Sequence, residues 1–396
     1  MLLMILGGGR MQRPAYSEAR KLGIKVIGVD PNPDAPCRGL ADYFYSHDLQ
    51  DIPSLVKIFG KHHVDGVMTL AADYPVKAVG TLNSMYNLSG ISRTASEVVT
   101  DKAVLRNLCH DRGINSPHYL IPEKINEEAV DNIVDMLPVV VKPTSSSGGR
   151  GVTCIKKEGG EKKQIRDAVR YALQFSKNGK VIIESFIGGK EYSAETITFR
   201  GVTRVIAITE KITSGYPYFM EVGHNVPYVF DENNWQKVKR FLFSVIEGVG
   251  IDNSPAHIEF KVDEGVPVLV EVGARLGGGS ITTELIPLAT GINMVAAAIN
   301  LSLGVEPEIR RTHDRTAGIR YLIPPPGVMK SVKGLDCIKQ ISGIVNSESD
   351  YMPGSNIPVI RDADGRKAYI IGVSESIMSL KAILNKACDA VKYEMN

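Results

Sequence analysis

The sequence predicts a mixed chain, α/β at its start and α+β thereafter, and three observations carry that prediction. Residues 1–98 alternate short, β-branched apolar runs with helix-compatible stretches, the βαβ order of a doubly wound parallel sheet. Residues 99–304 set strands in hairpins between longer helices. Beyond Gly304 the chain turns to short strands and turns, and Pro324-Pro325-Pro326-Gly327 marks a connection within a third block, 305–396.

In chain order, an apolar strand at 2–6 runs through Gly7-Gly8-Gly9 into a helix, and a strand at 24–29 ends on Asp30. The run 64–70 is the clearest strand of the first block. Thr100 is placed to cap a helix reaching Arg112. A hairpin follows around 139–155, then a helix at 161–175 and a strand at 180–186. Strands near 192–210, a helix at 232–249 and a hairpin at 256–272 come next. One apolar helix is expected over 280–303, and an amphipathic helix over 375–393.

The 396 residues are ample for two or three domains. The 46 basic and 44 acidic residues are interspersed and leave a net charge of +2, which gives no signal for nucleic acid. Five scattered cysteines without metal-type spacing read as free thiols in a reducing cytoplasm. No apolar run approaches the ~20 residues a membrane span needs. The apolar start lacks a basic flank and reads as a buried strand, not a signal peptide.

The N-terminal glycines, with the acid Asp30 closing the next strand, invite a dinucleotide reading. The fingerprint needs a glycine where Gln12 stands, so the pattern is incomplete. The plainer reading is a tight turn at the C-terminal edge of a parallel sheet. Ligands bind at such edges, which makes Arg10 and Asp73 substrate-facing candidates.

A stronger signal is Val139-Val140-Val141-Lys142-Pro143-Thr144-Ser145-Ser146-Ser147-Gly148-Gly149-Arg150-Gly151-Val152. A lysine at a strand end reaches phosphate oxygens as a point charge, and a Ser/Gly loop offers backbone N–H donors. Taken alone, the segment reads equally well as a surface hairpin with a snorkelling lysine. Further on, Glu184-Ser185-Phe186-Ile187 ends a strand whose exposed backbone can read a base edge. Glu191 suits ribose hydroxyls, or else is a solvated loop acid.

Glu259 and Glu271 lie in apolar, β-rich strands, where a lone carboxylate is costly to bury. Asp263-Glu264-Gly265 is a good turn. A three-residue loop would set Glu271 opposite His257 and diagonal to Glu259, roughly 7–8 Å away on one face and within bridging range of a cation. A two-residue loop would put the two acids on opposite faces. Two carboxylates with phosphate oxygens suit Mg²⁺. The alternative is two strand acids that each face water.

Together these motifs resemble the ATP-grasp superfamily, over essentially the whole chain. The resemblance implies a Rossmann-like pre-ATP-grasp domain (1–98), an ATP-grasp domain with a glycine-rich lid (99–304) and a C-terminal α+β domain (305–396). It implies Lys102 and Lys142 on phosphate, a lid over Ser145 to Val152 that brings Ser147, Gly148, Gly149 and Gly151 to ATP, and Glu184 to Ile187 on adenine. It further implies Glu191 on ribose, Glu259 and Glu271 on Mg²⁺ (or Mn²⁺), and Lys142 and Arg275 as the catalytic cations. One position departs: the family commonly carries Asn two residues after the second metal ligand, where Gly273 stands here.

Phe219 to Pro227 and the segment 271–279 look most like carboxylate–amine ligases, especially L-amino-acid ligases. That likeness puts Glu221, His224 and Gly278 at the substrate, His224 being equally a structural loop histidine. The implied chemistry is activation of a small-molecule carboxylate as an acyl phosphate, followed by attack of an amine. Relatives of this architecture are often dimers. The rival readings are activation of bicarbonate or formate, a non-catalytic ATP-binding regulator, and the NAD(P) oxidoreductase.

Overall fold

A computed structural model describes residues 1–396. The first block forms a parallel sheet in the order Tyr43–Tyr45, Lys25–Val29, Leu2–Leu6, Gly66–Met68. Strand Leu2–Leu6 is central and almost wholly buried, as an unbroken apolar run requires. The next sheet is small and antiparallel, in the order Tyr119–Leu120, Val181–Ser185, Val139–Pro143, Thr153–Ile155. Helices Glu127–Asp135 and Glu161–Phe175 share its core, and the Ser/Gly loop joins its last two strands.

The largest sheet has eight antiparallel strands. Val266–Gly273, Ser254–Asp263, Lys190–Phe199, Val202–Thr213 and Glu221–Val226 are its first five, in that order. Thr316–Tyr321, Ala368–Ser374 and Ile344–Ser349 continue it without a break, so strands from beyond Gly304 complete a sheet begun at residue 190. A single apolar core likewise joins Leu3 and Ile5 of the first sheet to Ile197, Ile319 and Ile371 of this one, through Leu285 and Ile299. No single helix is long and apolar enough to cross a membrane.

The expectations for several elements are corrected. Thr100 does not cap the helix that follows; its hydroxyl donates to Ser96 O at 2.7 Å and ends the helix Arg93–Thr100. Asp101 caps Lys102–Arg112 instead, accepting from Ala103 N at 2.8 Å. Two helices meet here with a single residue between them, and the carboxylate takes the free amides. The apolar stretch 280–303 is not one helix. Gly291 takes φ +77°, and Ile281–Thr290 turns by 118° into Met294–Ser302. The last helix ends at Ala390, and Lys392–Met395 pairs as a strand with Gly327–Lys333.

The carboxylate hairpin is the most consequential correction. Asp263 pairs with Val266, so the turn is Glu264-Gly265, both residues at positive φ as a tight two-residue hairpin demands. That turn alone would send Glu259 and Glu271 to opposite faces. A bulge reverses the outcome: Phe260 pairs with Leu269 and Glu259 with Glu271, leaving Val270 without a partner. Glu271 therefore lies directly opposite Glu259, while His257 faces Gly273.

A Cβ on Gly66 would lie 2.3 Å from Ser302 O, where helix Met294–Ser302 ends against strand Gly66–Met68. Gly66→Ala is expected to destabilise the fold by about 1–3 kcal/mol. The check is urea unfolding: a lower midpoint at unchanged m value is expected, and a wild-type midpoint would show that the helix end moves freely.

Candidate active site

A cavity of about 210 Å³ opens between the small sheet and the large one. Its walls carry Lys102, Lys142, Glu184, Glu191, Glu259, Glu271 and Arg275. The Ser/Gly loop covers it with Ser147, Gly148, Gly149 and Val152, and Ser185, Phe186 and Ile187 close one end. These residues come from separate parts of the chain, and the two sheets bring them together.

The phosphate-type lysines are held firmly. Lys142 is buried, with Nζ 2.6 Å from Glu184 Oε2. Arg106, which sequence reasoning missed, donates from Nε to Glu184 Oε1 at 2.9 Å and from Nη2 to Oε2 at 3.3 Å. Burial opposes ionisation of Glu184, but Arg106 and Lys142 hold its carboxyl below the usual carboxylate range. Burial pushes the Lys142 ammonium down, and Arg106 and Lys102 add to that. Lys102 opens its helix and donates to Ser146 O at 2.7 Å, while its Nζ stands 3.2 Å from Glu271 Oε1.

A second missed cation organises the other wall. Lys211 Nζ lies 2.9 Å from Glu191, 2.7 Å from Glu221 and 3.0 Å from Glu259. Burial disfavours its charge, yet three carboxylates hold its pKa well above the usual value. Ligand atoms of those carboxylates all lie within 4.8 Å of one another, the spacing of a cation site with Lys211 at its centre. Behind Glu259, His257 Nε2 lies 3.0 Å from Glu259 Oε1 and Nδ1 lies 2.5 Å from Glu195 Oε1. Glu195 also accepts from Gly277 N at 3.2 Å. Buried Glu195 thus fixes a histidine that fixes Glu259.

Asp73 is not a free substrate ligand. It takes Arg275 in a fork, from Nε at 2.7 Å and from Nη2 at 2.9 Å. A Cβ at Gly273 would stand 3.2 Å from Arg275 Cζ and 3.3 Å from Asp73 Oδ1. A side chain there would crowd this pair, which gives a physical reason for glycine. At the apolar end, Lys261 donates to Ile187 O at 3.1 Å and lies over Phe186 and Phe219. The loop is docked on the C-terminal region, Ala363 N donating to Gly148 O at 3.0 Å.

Other expected residues fall elsewhere. Arg10 is exposed at the start of the 3-10 helix Arg10–Gln12 and, like Gly278, does not line the cavity. Gly151 packs against Ala172 and Phe175 and serves the base of the loop. Glu221 reaches the cavity and accepts from Arg366 Nη1 at 2.8 Å, but His224 sits behind it, fully buried. His224 Nε2 is 3.5 Å from Glu221 Oε2 without hydrogen-bond alignment, and burial pushes the imidazole pKa down. At the N-terminal glycines, Asp30 accepts from Gly8 N and Asn32 N, and Gln12 Oε1 accepts from Leu70 N. The acid of the dinucleotide reading is thereby spent on the turn itself.

Comparison with known proteins matches this arrangement block by block. Residues 1–92 match the ribonucleotide synthetase preATP-grasp domain, residues 135–284 the ATP-grasp domain, and residues 320–396 the L-amino acid ligase C-terminal domain 2. Residues 135–284 are thus an ATP-grasp domain. Two structural neighbours, at 16% and 14% identity, are complexes with ADP and with MgADP. An uncharacterized protein of Sinorhizobium fredii is 24% identical over 413 residues, covering 100% of this chain and 83% of its own. Dapdiamide A synthase of Enterobacter agglomerans is 26% identical over 266 residues, 64% of this chain, and the match spans 61% of that synthase. The L-amino acid ligase structure from Bacillus licheniformis superposes with a TM-score of 0.82 at 24% identity, over 100% of this chain and 98% of that one.

His257 gives this ATP-grasp site a pH signature. Burial opposes its charge, but Glu195 and Glu259 raise its pKa from 6.5 to about 9. A folded value above the unfolded one contributes fully below 6.5 and is lost as pH rises through about 9. Unfolding free energy should therefore decline across that interval, and the decline should be absent from His257→Gln. Parallel profiles for the two proteins would place the proton on another group.

Proposed function

We propose that this ligase activates a small-molecule carboxylate, an amino acid above all, and joins it to an amine, releasing ADP and phosphate. The observation that carries the reading is the convergence of Lys102, Lys142, Lys211 and Arg275 with the directly opposed Glu259 and Glu271 under one Ser/Gly loop. Four cations and two carboxylates in one cavity fit a nucleoside triphosphate with its metal. The match of residues 320–396 to an L-amino acid ligase domain supports the amino-acid choice over bicarbonate.

ATP with Mg²⁺ would supply the phosphoryl group that turns the carboxylate into an acyl phosphate, whose phosphate leaves when an amine attacks the acyl carbon. The residues divide the remaining work. Lys142, braced by Glu184, and Lys102, braced by Glu271, present ammonium groups to phosphate oxygens. Glu259 and Glu271 would hold the metal, and His257 keeps Glu259 turned inward. Gly273 would offer the metal no side-chain ligand, and a backbone oxygen or water would have to take that place. Arg275, its fork fixed by Asp73, faces the transferring group with its remaining donors. Phe186 and Ile187 take the base and Glu191 the ribose. The loop 144–151, docked on Ala363, keeps water from the activated carboxylate. Glu221 lies toward the acceptor, with Arg366 beside it. A reducing cytoplasm suits the five free thiols.

Screening amino-acid pairs, single amino acids with other amines, and bicarbonate for phosphate release, with mass spectrometry of products, tests this directly. Release that depends on an amino-acid pair is expected. Release driven equally by bicarbonate, or by no acceptor, would overturn the substrate class. Glu259→Gln and Glu271→Gln should each cut turnover by ~10²-fold or more, and near-wild-type turnover in either would remove that carboxylate from the metal. Arg275→Lys keeps the charge but loses the planar fork, so turnover should fall far more than ATP affinity. Unchanged kinetics in the folded variant would take Arg275 away from the phosphoryl group.

A further inference from the structure

Arg106 is the bulkiest side chain wholly removed from solvent. It lies four residues after Lys102 on the helix Lys102–Arg112, so both project from one face. From that face Lys102 reaches Ser146 O and Glu271, and Arg106 reaches Glu184 and, from Nη2 at 2.7 Å, Val270 O. Val270 is the residue that the hairpin bulge leaves without a partner, and that bulge alone turns Glu271 to the face of Glu259. A bulged carbonyl otherwise lacks a fixed acceptor role, and a charge-assisted bond from a buried guanidinium supplies one.

We infer that Arg106 is a positioning residue that ties the geometry of the carboxylate pair to that of Lys142, holding the Val270 bulge through Nη2 and Glu184 through Nε and the same Nη2. This rests on the functional reading above, in which Glu259 and Glu271 hold the metal and Lys142 meets phosphate. Its chemistry is that of a brace. Lysine cannot reproduce it, because a point charge beside Glu184 does not supply a planar fork that also spans to Val270 O. The fixed N-terminus of the helix, capped by Asp101, makes the brace rigid.

The test compares Arg106→Lys and Arg106→Gln with wild type in the full chain. Mn²⁺ binding in the presence of ADP is read by electron paramagnetic resonance, beside thermal melting and the Mg²⁺ dependence of turnover. Mn²⁺ affinity is expected to fall about tenfold or more in Arg106→Lys, with a matching rise in the Mg²⁺ needed for half-maximal turnover, while ADP still binds and the fold still melts cooperatively. The Gln variant should show the same direction and a larger loss. Wild-type Mn²⁺ affinity in either folded variant would overturn the inference. So would a lowered melting temperature with unchanged Mn²⁺ affinity and Mg²⁺ dependence in the folded fraction, or failure of both variants to fold, since either result assigns Arg106 to stability alone. Mn²⁺ and ADP binding are read without turnover, so a chain with no ligase activity would sink the functional reading and still leave Arg106 tested.

Discussion

A carboxylate carried out of water must find a cation and hydrogen bonds waiting, and the cavity of this protein is arranged around that requirement. Glu184 meets Arg106 and Lys142; Glu259 meets Lys211 and His257; Asp73 meets Arg275; Glu221 meets Lys211 and Arg366. The Asp73–Arg275, Arg106–Glu184 and Glu221–Arg366 pairs join parts of the chain distant in sequence, so each also pins one part of the fold against another. Removing one partner leaves the other uncompensated, which is why these residues are tied to the fold as well as to chemistry. A phosphate chain and a metal entering the cavity exchange one set of opposite charges for another, so the cations and acids need only small rearrangements to receive them.

Much of this was legible in the sequence, and the limits have physical causes. Glu259 and Glu271 stood out because acids in apolar strands demand an explanation, and the Ser/Gly loop because its residues suit little else. Lys211 carried a comparable signal that went unread: Ala207, Thr209 and Lys211 share the buried parity of one strand, and an inward lysine calls for carboxylates. Arg106 shares the buried face of its helix with Leu105 and Cys109, a cation where an apolar residue is expected. The partners of either were not legible, because contacts such as Arg106 to Glu184 span 78 residues. The hairpin register stayed open between two loops for a sharper reason. Turn chemistry gave a two-residue loop, and only the unpaired Val270 restores the two acids to one face. No local pattern in that strand marks which residue will bulge.

The same contrast applies to the substrate side. Glu221 reaches the cavity, yet His224, three residues on in the same strand, is sealed behind it with both ring nitrogens unpartnered. Sequence spacing put them together, whereas the packing of Tyr321 and Gly279 around the imidazole separates their environments. Gly273 shows the reverse: what reads as a missing ligand in the sequence is, in space, the gap that the Arg275–Asp73 fork requires.

The eight-stranded sheet has a consequence for the chain's history and handling. Strands Thr316–Tyr321, Ala368–Ser374 and Ile344–Ser349 are not an appended module, because Glu221–Val226 pairs directly with Thr316–Tyr321. A chain cut after Gly304 would leave Glu221–Val226 as a bare edge, its row of amides and carbonyls open to pairing with any other strand. Recombination that swapped the last block for a foreign one would have to supply a strand of matching register at that seam. The C-terminal region can therefore diverge in its loops, which reach the cavity through Ala363 and Arg366, while its first strand stays bound to the shared sheet.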